Sequence, residues 1–403
     1  MKRFVVIALA VLLIFGIVAS IVSSTQKAPK PEVPAPTDAA SPAPDAQPET
    51  TAEPVVIRSL DEDAIRALRA PDEVVLSLGG ETASWDEYCQ WLFSTGRQIE
   101  DYFRQMASFY GLAADWEGSV GDGSGMTYAQ YAVHETNENL SNILAYRRFA
   151  AEEQITLNEE QQAQLTDEAL AKALLGENAT VEQLTAELEK EGFGIETFRR
   201  IRETNLQLDA FFDETYGENG GKVTDEEAVA YLEEKGYVSA GHILLMTIDP
   251  NTGDKLEEAA VAEKKLKAGE IADELRAIAD PEQRERRFLE LKAELCEDGG
   301  KIAYPNGYTY TSGTMVTEFE SAVNALEPFE VSDPVESAYG YHVIMRLPLR
   351  ADSLLYSAQG TPVTARQETA VAGMNDRLAA FIEANPVAFA EGIEDLDLVK
   401  YLK

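Results

Sequence analysis

The chain carries three histidines, His134, His242 and His342, and two of them stand in the same kind of context. His242 leads into the apolar run Ile243 to Met246, and His342 leads into Val343 to Met345. Such runs read as buried strands. Two strands that each begin with a histidine can lie side by side and bring the imidazoles together. Between them in sequence fall a thiol, Cys296, a carboxylate, Asp298, and the pair Met315 and Phe319, whose i, i+4 spacing predicts one helical face. Paired imidazoles with a carboxylate make a hydrogen-bond network that can orient and polarise a bound group. Met315 and Phe319 add an apolar surface. The set His242, His342, Asp298 and Cys296 is also of zinc-ligating type, but no C-x-x-C or H-x-x-x-H pairing supports a metal. No cofactor motif accompanies it. His134 has no partner motif and reads as a structural or surface residue.

The order of motifs is more informative than any one of them. Ser239-Ala-Gly-His242-Ile-Leu-Leu-Met246 is followed by Gly313-Thr-Met315-Val-Thr-Glu-Phe319-Glu-Ser-Ala322, then Glu330-Val-Ser-Asp-Pro334-Val, then Tyr339-Gly340-Tyr-His342-Val-Ile-Met-Arg346. This succession resembles the parvulin family of peptidyl-prolyl cis/trans isomerases. The resemblance implies a small antiparallel sheet with helices over residues 237–349. It makes His242, His342 and Asp298 the catalytic positions, Asp298 as a carboxylate near the rotating carbonyl. Met315 and Phe319 match the proline slot. The family usually has a G-G-x-L-G run before the Met helix; here the chain reads Tyr304-Pro-Asn-Gly307-Tyr-Thr-Tyr310. Gly307 takes the place of a large apolar slot residue, Tyr310 stands for the family's Phe, and Ser337 and Tyr339 fill two hydroxyl positions. The loop Thr247-Ile-Asp-Pro250 lacks the basic cluster of phospho-specific parvulins, so selectivity for phosphorylated substrates is not expected.

The chemistry so implied is rotation about an X-Pro amide, which faces a barrier of about 18–20 kcal/mol from amide resonance. A catalyst needs neither nucleophile nor metal. It must bind the twisted amide better than either planar form.

Several elements must position these groups. After the first strand, Asp249-Pro-Asn-Thr-Gly253 reads as a turn, and a charged helix is expected over 254–266, ending at Lys267-Ala-Gly269. A second helical stretch, 271–295, is interrupted at Asp280-Pro281, and a helix is expected around 315–326. Upstream, Glu73 to Leu78 followed by Gly79-Gly80 reads as a strand and turn, and Ser84-Trp-Asp-Glu87 has a capping-box pattern. The helix it starts carries Tyr88, Trp91, Leu92, Ile99, Tyr102, Phe103, Met106 and Phe109. These are either core or the lining of an apolar cleft for unfolded polypeptide. A helix over 127–153 follows, with further capping patterns at Asn158–Gln161, Thr180–Gln183 and Thr224–Glu227. Residues 365–384 have helical periodicity and stop before Pro386.

Composition bounds the partners. The 403 residues hold 71 acidic against 34 basic side chains, a net charge of −37. That excludes a nucleic-acid surface and disfavours anionic lipid, leaving a highly soluble exterior. Lys2 and Arg3 precede an apolar run from Phe4 to Val22. As a helix that run spans about 28 Å, close to the hydrocarbon core of about 30 Å. The basic flank puts the N-terminus inside and the rest outside. An uncleaved anchor is favoured; a cleaved signal peptide is the competing reading. No Cys precedes Cys89, so a lipid-modified Cys is not expected at that point. Residues 24–54 are rich in Pro and Ala and read as a disordered tether. The two cysteines, Cys89 and Cys296, lie far apart, and their pairing is left open.

The expected organisation is α+β: an anchor or signal over 1–23, the linker 24–54, a helical chaperone region 55–236, the inserted parvulin-like segment 237–349, and a C-terminal helical segment 350–403. By resemblance to extracytoplasmic foldases of the PrsA/SurA type, the last segment packs back on the helical region. The expected function is extracytoplasmic prolyl isomerisation assisting exported polypeptides, from a single-pass membrane anchor and compatible with a homodimer. A holdase whose parvulin domain is catalytically weak and binds peptide is the alternative.

Overall fold

The computed structural model describes residues 57–110, 114–250, 252–357 and 362–403; of Phe109 and Tyr110 only the backbone is described. The expected anchor and linker lie outside the described residues. Among the described residues no helix is long and apolar enough to cross a membrane.

In chain order the elements are α1 (Glu62–Arg66), β1 (Val74–Leu78), β2 (Glu81–Ser84), α2 (Trp85–Tyr110), α3 (Tyr128–Glu152), α4 (Glu159–Ala163), α5 (Asp167–Leu175), α6 (Val181–Glu191), α7 (Ile195–Tyr216), α8 (Asp225–Glu234), β3 (Val238–Met246), α9 (Glu258–Arg276), α10 (Pro281–Leu295), β4 (Tyr308–Tyr310), α11 (Thr317–Asn324), β5 (Val335–Glu336), β6 (Gly340–Leu347), α12 (Ala365–Ala384) and β7 (Ala388–Phe389). The described residues fall into two compact units, one of residues 57–212 with 375–403, the other of residues 213–374. The fold is thus a mostly helical unit with an inserted α+β unit.

In the first unit helix starts follow local chemistry. The side chains of Thr127, Asn158 and Thr180 each accept the amide three residues on, and the Gln at that position reaches back to the cap amide. This satisfies two otherwise orphaned donors per helix. Ser84 Oγ likewise accepts from Glu87 N at the start of α2. Most of the described apolar face of α2 is core: Tyr88, Trp91, Leu92, Ile99 and Phe103 are buried, Met106 is half-buried and Tyr102 is exposed. The buried members of the set therefore serve as core, as one of the two readings expected. β7 pairs antiparallel with β1, so the C-terminal residues complete this unit's small sheet. Cys89 is buried and unpaired in this unit, and Cys296 is buried and unpaired in the other.

The second unit is built on a four-stranded antiparallel sheet in the order β4-β3-β6-β5. β3 and β6 are buried along nearly their whole length, because both faces of the sheet are covered. On one face Ile243, Leu245, Val343, Met345 and Leu347 pack with Ile271 and Leu275 of α9 and Phe288 and Leu291 of α10. On the other, Ala240 and Ile344 pack with Tyr304, Tyr308, Tyr310, Phe319 and Val323. A separate cluster of Leu232, Leu355 and Ala365 draws α8 and the start of α12 into the same unit.

Three local expectations are corrected. α9 does not end at Lys267-Ala-Gly269 but runs to Arg276. The buried stripe Ala268, Ile271, Ala272 and Leu275 carries it across Gly269, around which there is open space. The helix expected around 315–326 starts at Thr317, with extended backbone at Val316, so Met315 lies outside it. The strands do not begin with their histidines; β3 starts at Val238 and β6 at Gly340.

Gly241 is the tightest point between sheet and helices: a Cβ there would lie 2.5 Å from Cε1 of Phe288. Its backbone is ordinary, so the requirement is for space alone. Gly241→Ala is expected to lower the unfolding free energy by about 1–3 kcal/mol, the usual cost of overpacking, read by urea denaturation. Adding Phe288→Leu should recover part of that loss; an unchanged midpoint in Gly241→Ala would contradict the packing described.

Candidate active site

The site lies on the tyrosine-covered face of the second unit's sheet. In the β3–β6 register His242 opposes Ile344 and His342 opposes Leu244. Residues two apart on a strand share a face, so the two imidazoles are diagonal neighbours on that face. Their rings sit 5.1 Å apart and the Nδ1 atoms are 3.1 Å apart. Both side chains are buried.

Each imidazole is held from behind. His242 Nε2 is 2.9 Å from Asp298 Oδ2. His342 Nε2 is 2.7 Å from Ser337 Oγ. Asp298 also accepts the Tyr308 hydroxyl on Oδ2 at 2.5 Å and the Gly300 amide on Oδ1 at 2.9 Å. The result is a continuous chain, Ser337–His342–His242–Asp298–Tyr308. Asp298 gets there because the end of α10 is stitched to β3: Glu297 N donates to Leu244 O, and Leu244 N to Cys296 Sγ.

The charges follow from these partners. Hydrogen bonds from His242 foremost, then from Tyr308 and Gly300, outweigh burial and hold the Asp298 carboxyl well below the usual carboxylate range. Burial pushes the Tyr308 hydroxyl up, and the Asp298 charge adds to this, so it stays a donor. Burial by itself would lower the His242 pKa, but its bonds to Asp298 and Cys296 outweigh that and raise it. His342 is lowered from 6.5 to about 4 by burial, with the neighbouring His242 charge in support. With His242 charged, both its nitrogens donate. His342 Nδ1 then accepts and its Nε2–H donates to Ser337. Removing one proton from His242 reverses that direction, with Ser337 donating.

Beside the network is an apolar wall. Phe319 stands edge-on to His242 and His342 at centroid distances of 5.4 and 6.1 Å, and Tyr310 lies 6.1 Å from Phe319. Met315 packs half-buried against this cluster. Its backbone is fixed by Glu320, which accepts the amides of Gly313 and Met315 at 3.1 and 2.9 Å. Tyr310 is 2% exposed, and its hydroxyl has no hydrogen-bond partner.

Of the residues singled out in the sequence, the structure brings together His242, His342, Asp298, Phe319, Tyr310, Met315 and Ser337. Two stand apart. Gly307 lies against the sheet, where a Cβ would meet Ala240 O at 2.7 Å and Leu347 Cδ1 at 2.8 Å. Tyr339 is exposed in the loop before β6 and reaches the network through its amide, which donates to Ser337 Oγ at 3.1 Å. His134 is exposed on α3. Of the four residues considered as a zinc set, His242, His342 and Asp298 are joined by hydrogen bonds, and all four imidazole nitrogens serve such bonds. Tyr308 was not expected in the site, and Cys296 was weighed there only as a zinc ligand. The signal for Tyr308 was the departure itself, since it occupies the last Gly of the family's G-G-x-L-G run.

Residues 242–347 match the family described as Rotamase, the PPIC-type PPIASE domain. This segment of the chain is a PPIC-type parvulin domain. The chain is 37% identical over 132 residues to the foldase protein PrsA of Halalkalibacterium halodurans, covering 31% of this chain and 32% of that protein. It is 34% identical over 131 residues to the PrsA of Bacillus subtilis, covering 31% and 35%. The match thus spans about a third of the length of these curated relatives. The crystal structure of PrsA from Bacillus subtilis aligns with 78% of this chain and 92% of its own, at 17% identity and a TM-score of 0.24.

A base whose folded pKa is depressed costs stability as pH falls. Above 6.5 His342 is neutral whether folded or unfolded; between 6.5 and about 4 only the unfolded chain takes the proton. Unfolding free energy should therefore drop through that window, with a shallower drop in His342→Gln. Identical slopes, or an imidazole nitrogen NMR titration of His342 with a midpoint near 6.5, would contradict the buried neutral ring. Tyr310→Phe removes a hydroxyl without a partner, and should leave thermal stability equal or higher, by up to about 1 kcal/mol.

Proposed function

We propose that the protein is an extracytoplasmic peptidyl-prolyl cis/trans isomerase and foldase, acting on X-Pro bonds of unfolded or partly folded exported polypeptides. The observation that carries this reading is the edge-on placement of Phe319 over the hydrogen-bonded pair His242 and His342. A proline ring resting on Phe319, Met315 and Tyr310 would leave its amide facing the polar chain. Rotation strips the amide of resonance and shifts charge on its carbonyl. A network that can move a proton between His242 and His342 without changing its atoms' positions suits that shift. Favouring the twisted amide over both planar forms is the whole of the required catalysis.

In this reading His242, Asp298 and His342 are catalytic, and Met315, Phe319 and Tyr310 bind substrate. Ser337 answers the proton direction, accepting from His342 or donating to it, while Gly307 and Tyr339 shape the surrounding loops. The segment 237–349 carries the chemistry. Residues 55–236 with 350–403 provide the chaperone part. The match to PrsA foldases supports extracytoplasmic clients in general. Anchoring through residues 4–22 and association into a homodimer belong to the same proposal and rest on the sequence alone.

The test is a protease-independent isomerisation assay on proline tetrapeptides. The wild type should accelerate cis/trans exchange. Met315→Ala and Asp298→Ala should each reduce kcat/KM by about tenfold or more, or at least about 1.4 kcal/mol of transition-state stabilisation. A wild-type rate equal to background, with aggregation of an unfolded client still suppressed, would favour the holdase alternative.

A further inference from the structure

We propose that Tyr308 is a positioning residue of this site, one that holds Asp298 in place and ionised so that Asp298 can hold His242. The proposal rests on the isomerase reading for its kinetic consequence, but its structural core can be tested without it.

The geometry comes from an exchange of two neighbouring positions. Where the family run ends in a large apolar residue and then Gly, this chain has Gly307 and then Tyr308. Gly307 adopts φ +110°, and a side chain there would collide with the Ala240 carbonyl. The bulk is moved one residue on. Tyr308 begins β4, pairs with Ala240, and is buried between Tyr304 and Tyr356, at centroid distances of 4.9 and 5.7 Å. Its ring meets His242 edge-on at 5.7 Å, and its hydroxyl reaches Asp298 Oδ2.

Two other features are fitted to that hydroxyl. At Gly300 a Cβ would lie 2.1 Å from the Tyr308 oxygen, so the loop carrying Asp298 has glycine where the hydroxyl must enter. Gly300 has no positive φ, so space is the only call on it. Lys292, 1% exposed, donates to the carbonyls of Tyr304 and Pro305 and lies 5.8 Å from the centre of the Tyr308 ring. A buried cation thus fixes the loop that delivers Tyr308. Ring stacking alone would need neither feature.

A hydrogen bond to a charged group shifts that group's pKa by about one to two units. Tyr308→Phe keeps the ring and removes only the hydroxyl. The other titratable groups acting on Asp298 and His242, namely His342 from β6 and Cys296 and Lys292 at α10, are common to both proteins, so the difference isolates Tyr308.

The experiment is a carboxyl 13C NMR titration of Asp298, with pH profiles of tetrapeptide isomerisation, on wild type, Tyr308→Phe, Gly300→Ala and the double variant. Tyr308→Phe should raise the Asp298 midpoint by about one unit and move the acid limb of kcat/KM up with it. KM should stay near wild type while kcat falls. Gly300→Ala, which crowds out the hydroxyl, should copy those shifts. The double variant should be no worse than either single, because once the hydroxyl is gone the two changes act on the same missing bond. An Asp298 midpoint unmoved in Tyr308→Phe, or additive losses in the double, would overturn the proposal. An absent wild-type isomerase rate with the predicted NMR shifts would overturn the functional reading and leave the role of Tyr308 standing.

Discussion

The site depends on one constraint, the antiparallel register of β3 and β6. It pairs eight residues of each strand from Ser239↔Leu347 to Met246↔Gly340 and sets His242 and His342 diagonally on one face. A slip of one residue would turn one imidazole to the opposite face, into the cluster of Ile271, Leu275 and Phe288. The register is guarded from that side. Alternating apolar residues fill the helix-covered face, and Gly241 lets Phe288 sit directly on the strand. The packing of α9 and α10 is therefore a condition of the geometry opposite.

Buried polar networks succeed only when every member is satisfied. Here the chain of five side chains runs from half-exposed Ser337 to buried Tyr308 with each link between 2.5 and 3.1 Å. Its charge is concentrated at one end, where Asp298 is supported by three donors. The far end is neutral and can accept or donate at Ser337. That asymmetry gives the pair of histidines different roles although they are alike in sequence. The proton on one is favoured by a carboxylate; the proton on the other is disfavoured by burial. Phe319 stands edge-on to both without offering a competing partner.

Much of this was legible in the sequence, and the parts that were not have physical reasons. Local signals served well: the capping patterns at Asn158, Thr180 and Thr224 start helices as expected, and α12 spans the expected 365–384. The pairing of the histidines followed from apolar runs, although the strands begin earlier than the runs suggested. Gly269 misled because its intrinsic preference is weak beside the buried stripe that carries α9 past it. Met315 misled because spacing cannot reveal that Glu320 would cap the loop and leave Val316 extended. Tyr308 was missed for the deepest reason. Its part depends on room left by Gly300 and on a clamp by Lys292, both non-local, and a pattern that lists the expected glycine shows only that something differs.

The claim on which the account turns is that a prolyl peptide sits on Phe319 with its amide toward the histidine pair. It is tested most directly by NMR of the isotope-labelled protein with a proline tetrapeptide present. Cis/trans exchange cross-peaks of the peptide would be recorded alongside shift changes in the protein. Accelerated exchange is expected together with perturbation of the Met315 methyl, the Phe319 ring and the His242 imidazole. Exchange at the uncatalysed rate, or perturbations confined to residues of the first unit, would contradict it.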